Sequence, residues 1–215
     1  MTAARAVYDA SADGYVAFVG TELSTATESP IDRALLAAFV EIVQNGASAS
    51  ARVADVGCGP GRVAAFLVSH GLNAIGIDAS PTMLVEARRA HPDIALAAGY
   101  LEDLPFATDG LSSAVCWYSI IHTPPERLVD AFEELNRVLK PGGQLLLAFQ
   151  TGGGDAVHRM DAHGTGLPLT SYRHGVNDVT RELEEAGFDV HATTQRRPVF
   201  AHETTAQGFV IARRR

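Results

Sequence analysis

Seven consecutive residues carry the clearest chemical signal in the chain: Asp55-Val56-Gly57-Cys58-Gly59-Pro60-Gly61, where the short apolar run Arg52–Val56 gives way to helical spacing. Glycine is required where a backbone turns tightly and approaches a ligand with no Cβ in the way. A second apolar run, Asn73–Asp78, ends in a carboxylate that can accept hydrogen bonds from both ribose hydroxyls of an adenosyl ligand. An acid after a strand can instead cap the next helix, but Ser80 is better placed for that. A dinucleotide fingerprint wants its third glycine or alanine at position 62. Here position 62 is Arg62 and the third glycine comes one residue early, at Gly61. A further set of candidates is His122, His158, His163, His174 and His202, five of the eight histidines. Histidine titrates in the range a general base needs, and Asp161 lies between His158 and His163 where it could orient one of them. A divalent metal is the alternative use of such a set. The segment lacks the fixed short spacing of structural zinc sites, and no metal ligand is assigned.

The elements that must position these groups alternate. Helical spacing over Gly61–His70 follows the glycine turn, and Ser80-Pro81 opens a helix with Ser80 as N-cap and proline at the first helical position. Ile94–Ala98 and Ser113–Tyr118 read as strands, and Pro125–Val138 as a helix stopped by Lys140-Pro141-Gly142-Gly143. Leu145–Phe149 is the fully apolar run expected of a central parallel strand. A helix over Gly175–Ala186 precedes two strands, Phe188–Thr194 and Gln207–Ala212, with no helix between them. The expected fold is α/β: Rossmann-like, doubly wound, a mostly parallel seven-stranded sheet with a C-terminal antiparallel hairpin at its edge. One domain is expected over 1–215. Residues 1–45 form an N-terminal helical cap, helical from Tyr8 to Val43. Residues 151–175, rich in Gly, His and Asp, form a substrate-lid insert.

In combination these motifs resemble class I S-adenosylmethionine-dependent methyltransferases. Asp55–Gly61 is similar to that family's first motif, and Asp78-Ala79-Ser80-Pro81-Thr82-Met83-Leu84 to its second strand and helix. Glu102-Asp103-Leu104-Pro105-Phe106 resembles its adenine-side loop, Leu139–Gly143 the turn before its fifth strand, and Gly187-Phe188 the turn before its terminal hairpin. The resemblance covers about Arg52 to Phe188. It implies S-adenosylmethionine as cofactor. Gly57 and Gly59, with Cys58 between them, would approach the methionine moiety, and Asp55 would help hold its ammonium. Asp78 and Ala79 would meet the ribose, and Met83 would pack on the adenine. The family often carries Gly-Asp-Ala before its adenine loop. Here Gly99-Tyr100-Leu101 stands there, so Leu101 backbone atoms or the Glu102 side chain must substitute. Ser113 is a second departure, where many members carry Asp. Tyr8-Asp9 and Tyr15 resemble an N-terminal pattern in which a tyrosine closes over the methionine carboxylate; packing of an amphipathic lid helix reads equally well. Trp117 or Tyr118 is expected to line the methyl site, with buried core packing as the alternative. Tyr118, Tyr172 and His174 are expected on the acceptor side. One of His122, His158 or His163 is expected to take the acceptor's proton, with Asp161 orienting it; a purely structural role is the alternative for all three.

The expected reaction is methyl transfer to a small molecule, O-methylation of a hydroxyl first, with a sugar hydroxyl in a polysaccharide or glycoside pathway as the guess within it. N- or C-methylation and a nicotinamide-dependent oxidoreductase are the alternatives. Composition agrees with a globular enzyme: 47% of the 215 residues are hydrophobic and 20% charged. A net charge of −8 argues against a nucleic-acid partner, since phosphate binding needs a basic face. No apolar run approaches a bilayer span, so no membrane partner is expected. Two cysteines make no disulfide framework, which fits a cytoplasmic location. A homodimer is left open.

Overall fold

The computed structural model describes residues 2–46 and 51–215; positions 1 and 47–50 of the expected domain lie outside the described residues. Two helices, α1 (Thr2–Val19) and α2 (Pro30–Gly46), precede the alternating part. The sequence reading runs them together. They are separate because Gly20 takes a left-handed turn (φ 76°) after α1, and because Ser29 caps α2 ahead of Pro30. The Asp32 amide donates to Ser29 Oγ and the Ser29 amide to Asp32 Oδ2, a reciprocal cap.

There follow β1 (Arg52–Val56), α3 (Arg62–Ser69), β2 (Asn73–Asp78), α4 (Pro81–Ala90), β3 (Ala95–Ala98), β4 (Leu111–Trp117), α5 (Leu128–Val138) and β5 (Leu139–Gln150). Next come a two-stranded hairpin, β6 (Ala156–Arg159) and β7 (Leu169–Tyr172), then α6 (Val176–Glu185) and the last strands β8 (Phe188–Arg196) and β9 (Gln207–Arg214). The seven-stranded sheet has the order β3-β2-β1-β4-β5-β9-β8. Only β9 runs against its neighbours.

Alternation along the central strands splits the core into two layers. Ala114, Cys116, Leu145, Leu147 and Phe149 face α5 and α6, where Phe132, Leu135 and Val138 meet them. Val115, Trp117, Leu146 and Ala148 face α2 and α3, against Leu36, Phe39 and Leu67. From β1 the chain winds outward through β2 and β3, then returns to lay β4 on β1's other side. The carboxyl ends of β1 and β4 are therefore the topological switch point, where open α/β sheets bind ligands. The 151–175 stretch, read from sequence as an irregular lid, contains the β6–β7 hairpin. Its base is stitched shut by His174 N to Gln150 O (3.0 Å) and Gly154 N to Arg173 O (2.7 Å). No described helix is long and apolar enough to cross a membrane.

Candidate active site

Strand β1 ends in the glycine loop, and its glycines sit where only they fit. Gly57 has φ 76°, and a Cβ there would come within 2.4 Å of the Ser119 Cβ. Gly59 has φ 51° and lies under the Tyr15 ring. The loop is drawn onto β2: the Gly57 and Cys58 amides donate to Ile77 O, and the Gly59 amide to Asp78 Oδ2 at 2.8 Å. The first turn of α3 is closed in the same way, because the Ala64 amide donates to Asp55 Oδ2 at 2.9 Å. A pyrophosphate needs such amides free at a loop and helix start. In the loop itself the Gly57, Cys58, Gly59 and Gly61 amides are all bonded within the protein, which argues against a dinucleotide and for a nucleoside.

Asp78 Oδ1 also accepts from the Ser80 amide at 2.8 Å. The Ala79 amide acts on the same carboxylate, which faces a cleft walled by Gly57, Gly59, Ala79, Met83, Leu101 and Trp117. Burial pushes the Asp78 carboxyl above its ordinary range against the pull of the Ser80 and Gly59 amides. Burial also raises Asp55, to about 7, with the Ala64 amide opposing and Asp78 adding repulsion. Ser80 caps α4 through the Met83 amide (3.1 Å) and donates to Asp9 Oδ1 at 2.6 Å, which ties α1 to α4. Arg5 extends the tie by donating to the Tyr100 hydroxyl at 2.9 Å. Helix α1 is the roof of this cleft.

A second chamber of about 240 Å³ adjoins the first and shares Gly57, Gly59, Tyr8, Tyr15, Trp117, Tyr118 and His122 as walls. His122 joins three elements. Its Nδ1–H donates to the Thr170 carbonyl of β7 at 2.8 Å, so its Nε2 carries the lone pair and accepts from the Tyr8 hydroxyl of α1 at 2.9 Å. Burial lowers its basicity, which keeps the ring neutral at neutral pH. The His163 ring stands 5.9 Å from Tyr8 and 5.6 Å from Tyr15. Tyr118 holds a left-handed backbone (φ 60°), unusual for a non-glycine residue and frequent at functional sites. The floor is ionic and closed on itself: Arg62 bonds to Glu28 and Thr27, and Arg196 makes a bidentate pair with Asp32 (2.6 and 2.7 Å) and bonds to Glu203.

Of the residues singled out from sequence, Gly57, Gly59, Asp78, Ala79, Met83, Leu101, Tyr15 and Trp117 line the nucleoside cleft. Asp55 and Cys58 line the adjoining chamber with Tyr118, His122 and His163. Five others are placed elsewhere. His158 pairs with Thr170 across the hairpin, and its Nδ1 meets Thr170 Oγ1 on the face opposite the chamber. Asp161 is exposed and accepts from the Gly166 amide at 2.6 Å, so it orients a turn rather than a histidine. Tyr172 stacks on His174 away from both walls. His174 is 2% exposed and contacts Ile120 O, a structural link. Glu102 reaches neither cavity. The sequence reading missed Arg159, Glu28, Glu203 and the Tyr8–His122 bond. No sequence signal marks Arg159, because its facing follows from strand alternation in a hairpin that the sequence does not announce.

Fold and cleft together define a Rossmann-like protein that holds a nucleoside at the switch point of its sheet. Residues 53–143 match the family described as a methyltransferase domain. A demethylmenaquinone methyltransferase from Beutenbergia cavernae is 33% identical over 103 residues, 48% of this chain and 42% of that protein. A malonyl-[acyl-carrier protein] O-methyltransferase from Erwinia billingiae is 35% identical over 118 residues, 55% and 45% of the two chains. The matched stretch thus spans less than half of either relative. The crystal structure of magnesium protoporphyrin IX methyltransferase from Synechocystis PCC 6803 with bound S-adenosylmethionine superposes with a TM-score of 0.73 at 19% identity, over 100% of this chain and 96% of that one. Among the described residues no cluster of His, Cys, Asp or Glu could hold a metal ion.

Proposed function

We propose that this chain transfers a methyl group from S-adenosylmethionine to a hydroxyl of a small molecule. The observation that carries the reading is the shared wall: one cleft suited to a nucleoside opens onto a second chamber through Tyr8, Trp117, Tyr118 and His122. The cofactor supplies an electrophilic methyl group. Asp78 would hold the ribose hydroxyls, Met83 and Leu101 the adenine, and Asp55 with Gly57 and Gly59 the methionine end. The rest falls to alignment and exclusion of water by α1 and the hairpin.

An oxygen acceptor is supported by two histidines at the chamber wall. His122 Nε2 holds a lone pair, which an acceptor's proton reaches through the Tyr8 hydroxyl or by displacing it. His163 carries an imidazole with no hydrogen bond among the described residues. Sugar hydroxyls are one arm of the acceptor class, because the aromatic side chains of Phe18, Trp117 and Tyr118 line the chamber.

The test is release of S-adenosylhomocysteine against a panel of hydroxylated metabolites that includes sugars, phenols and hydroxy acids. Wild-type protein should turn over at least one. His122→Gln or His163→Gln, whichever removes the base, should slow turnover by ~10² to 10⁴ while cofactor affinity holds. Failure to bind S-adenosylmethionine, or no release above background with any acceptor, overturns the reading. A loss under about threefold in both variants leaves methyl transfer standing on alignment alone and removes the base.

A further inference from the structure

We infer that the acceptor carries an anionic group, a carboxylate or a phosphate, which docks on Arg159 at the mouth of the second chamber. The inference rests on reading that chamber as the acceptor site. Three arginines line the two cavities. Arg5 is bonded to Tyr100 and Asp9, and Arg62 to Thr27 and Glu28. Arg159 alone of the three has no ion pair or hydrogen bond from its guanidinium among the described residues.

Its direction is set by the hairpin. Arg159 pairs with Leu169 across β6 and β7, and residues paired across an antiparallel ladder share a face. Leu169 is buried against Val7 of α1, and Leu169 and Ser171, two residues apart on one strand, both line the chamber. That face therefore looks inward, and it takes the guanidinium with it. The opposite face carries His158 and the Thr170 side chain.

Two carboxylates of the chamber, Glu28 and Glu203, are already matched. The Glu28 oxygens accept from Arg62, Thr27 and the Ser24 amide, and the Glu203 oxygens from Arg196 and the Val199 and Phe200 amides. Neither carboxylate has reach left for Arg159. Beside its polar groups the chamber is lined by the apolar side chains of Val19, Val63, Ile121 and Leu169. A ligand with an apolar body and one anionic end fits that distribution.

A free cation here has a cost that its partner would lift. After burial, the field of Arg159 is a further influence that lowers the basicity of His163, and it also acts on His122. An anion seated on the guanidinium cancels that field. It thereby lifts the share of the lowering that Arg159 contributes, while burial still acts on both rings.

Trp117, the only tryptophan of the chain, walls both cavities, so its fluorescence reports occupancy without knowledge of the natural acceptor. The probes are hexanoate, hexyl phosphate, hexanol and hexylamine, titrated into protein loaded with S-adenosylhomocysteine. One or both anions should perturb Trp117 at concentrations about tenfold or more below hexanol, the scale of a charge-assisted hydrogen bond, with hexylamine weakest. The tighter of the two anions identifies which group the site takes. Arg159→Gln should erase the preference and leave affinity for S-adenosylhomocysteine unchanged, because Arg159 does not line the nucleoside cleft. Equal binding of hexanol and both anions, no binding of any probe, or a preference that survives in Arg159→Gln overturns the inference. If S-adenosylhomocysteine itself fails to bind, the methyltransfer reading fails first, and the two failures are distinct.

Discussion

Asp55 does two things with one carboxyl group. It closes the first turn of α3 through the Ala64 amide and stands at the chamber edge near Asp78. Burial raises its pKa to about 7, so free molecules carry its proton at and below neutral pH far more than an exposed aspartate would. A ligand bearing an ammonium favours the ionised form, so binding should expel that proton. Affinity for S-adenosylmethionine should then rise as pH climbs towards about 7 and level off above it. Calorimetric titrations in two buffers of different ionisation heat would read the released proton directly. Asp55→Asn should bind without release; an unchanged release would place the proton on another group. At this scale the sequence was legible where chemistry and chain position coincide: Asp78 and the glycines announce themselves by ending strands. His158 and Asp161 misled because a side chain's facing depends on strand parity, and nothing near them signals that a strand exists.

At the scale of elements, the bounds of β1 and β2 are those read from the sequence, because apolar runs with sharp glycine or acidic ends leave no choice. The β6–β7 hairpin was not visible. Its strands have four residues each, with little apolar alternation and no two-residue turn signal. It is held instead by long-range bonds, Thr170 O to His122 and the closure at residues 150–154. Because its ends meet, the hairpin is separable from the sheet. Replacing residues 153–172 with a short Gly-Ser link should leave one cooperative melting transition and measurable S-adenosylhomocysteine binding. It should abolish transfer, since Arg159, His163 and the carbonyl that fixes His122 all leave with it. Circular dichroism and calorimetry on the shortened chain decide this; loss of the folded sheet would show the hairpin to be part of the core.

Over the whole molecule, what ties the end of the sheet to its beginning is an ion cluster. Arg196 at the end of β8 reaches Asp32 on α2, 164 residues earlier, and Glu203 in the β8–β9 connection. No local pattern marks partners so far apart, so sequence reading passes over them. All three side chains are at most 7% exposed. Arg196→Ala leaves two buried carboxylates unmatched and should cost about 3 to 5 kcal/mol, read by denaturant unfolding. The pH dependence carries the sign. Burial pushes Glu203 up, but Arg196 and two backbone amides outweigh it and hold the carboxyl below its ordinary value. The wild-type protein therefore loses that contribution as pH falls through the depressed value. In Arg196→Ala the same carboxyl is left buried without its cation, its proton affinity rises, and mild acid should recover part of the lost stability. A variant that destabilises equally at every pH would show that packing, not charge, holds the cluster.

The roof formed by α1 spans both cavities. Tyr8 and Tyr15 wall both cavities, while Asp9 and Arg5 pin the helix to α4 and Tyr100. Were α1 to lift for release, spent nucleoside and finished product would leave by that one motion. If that motion is the slow step, acceptors of unequal intrinsic reactivity will turn over at a single common rate, and the first turnover after rapid mixing will outrun all those that follow.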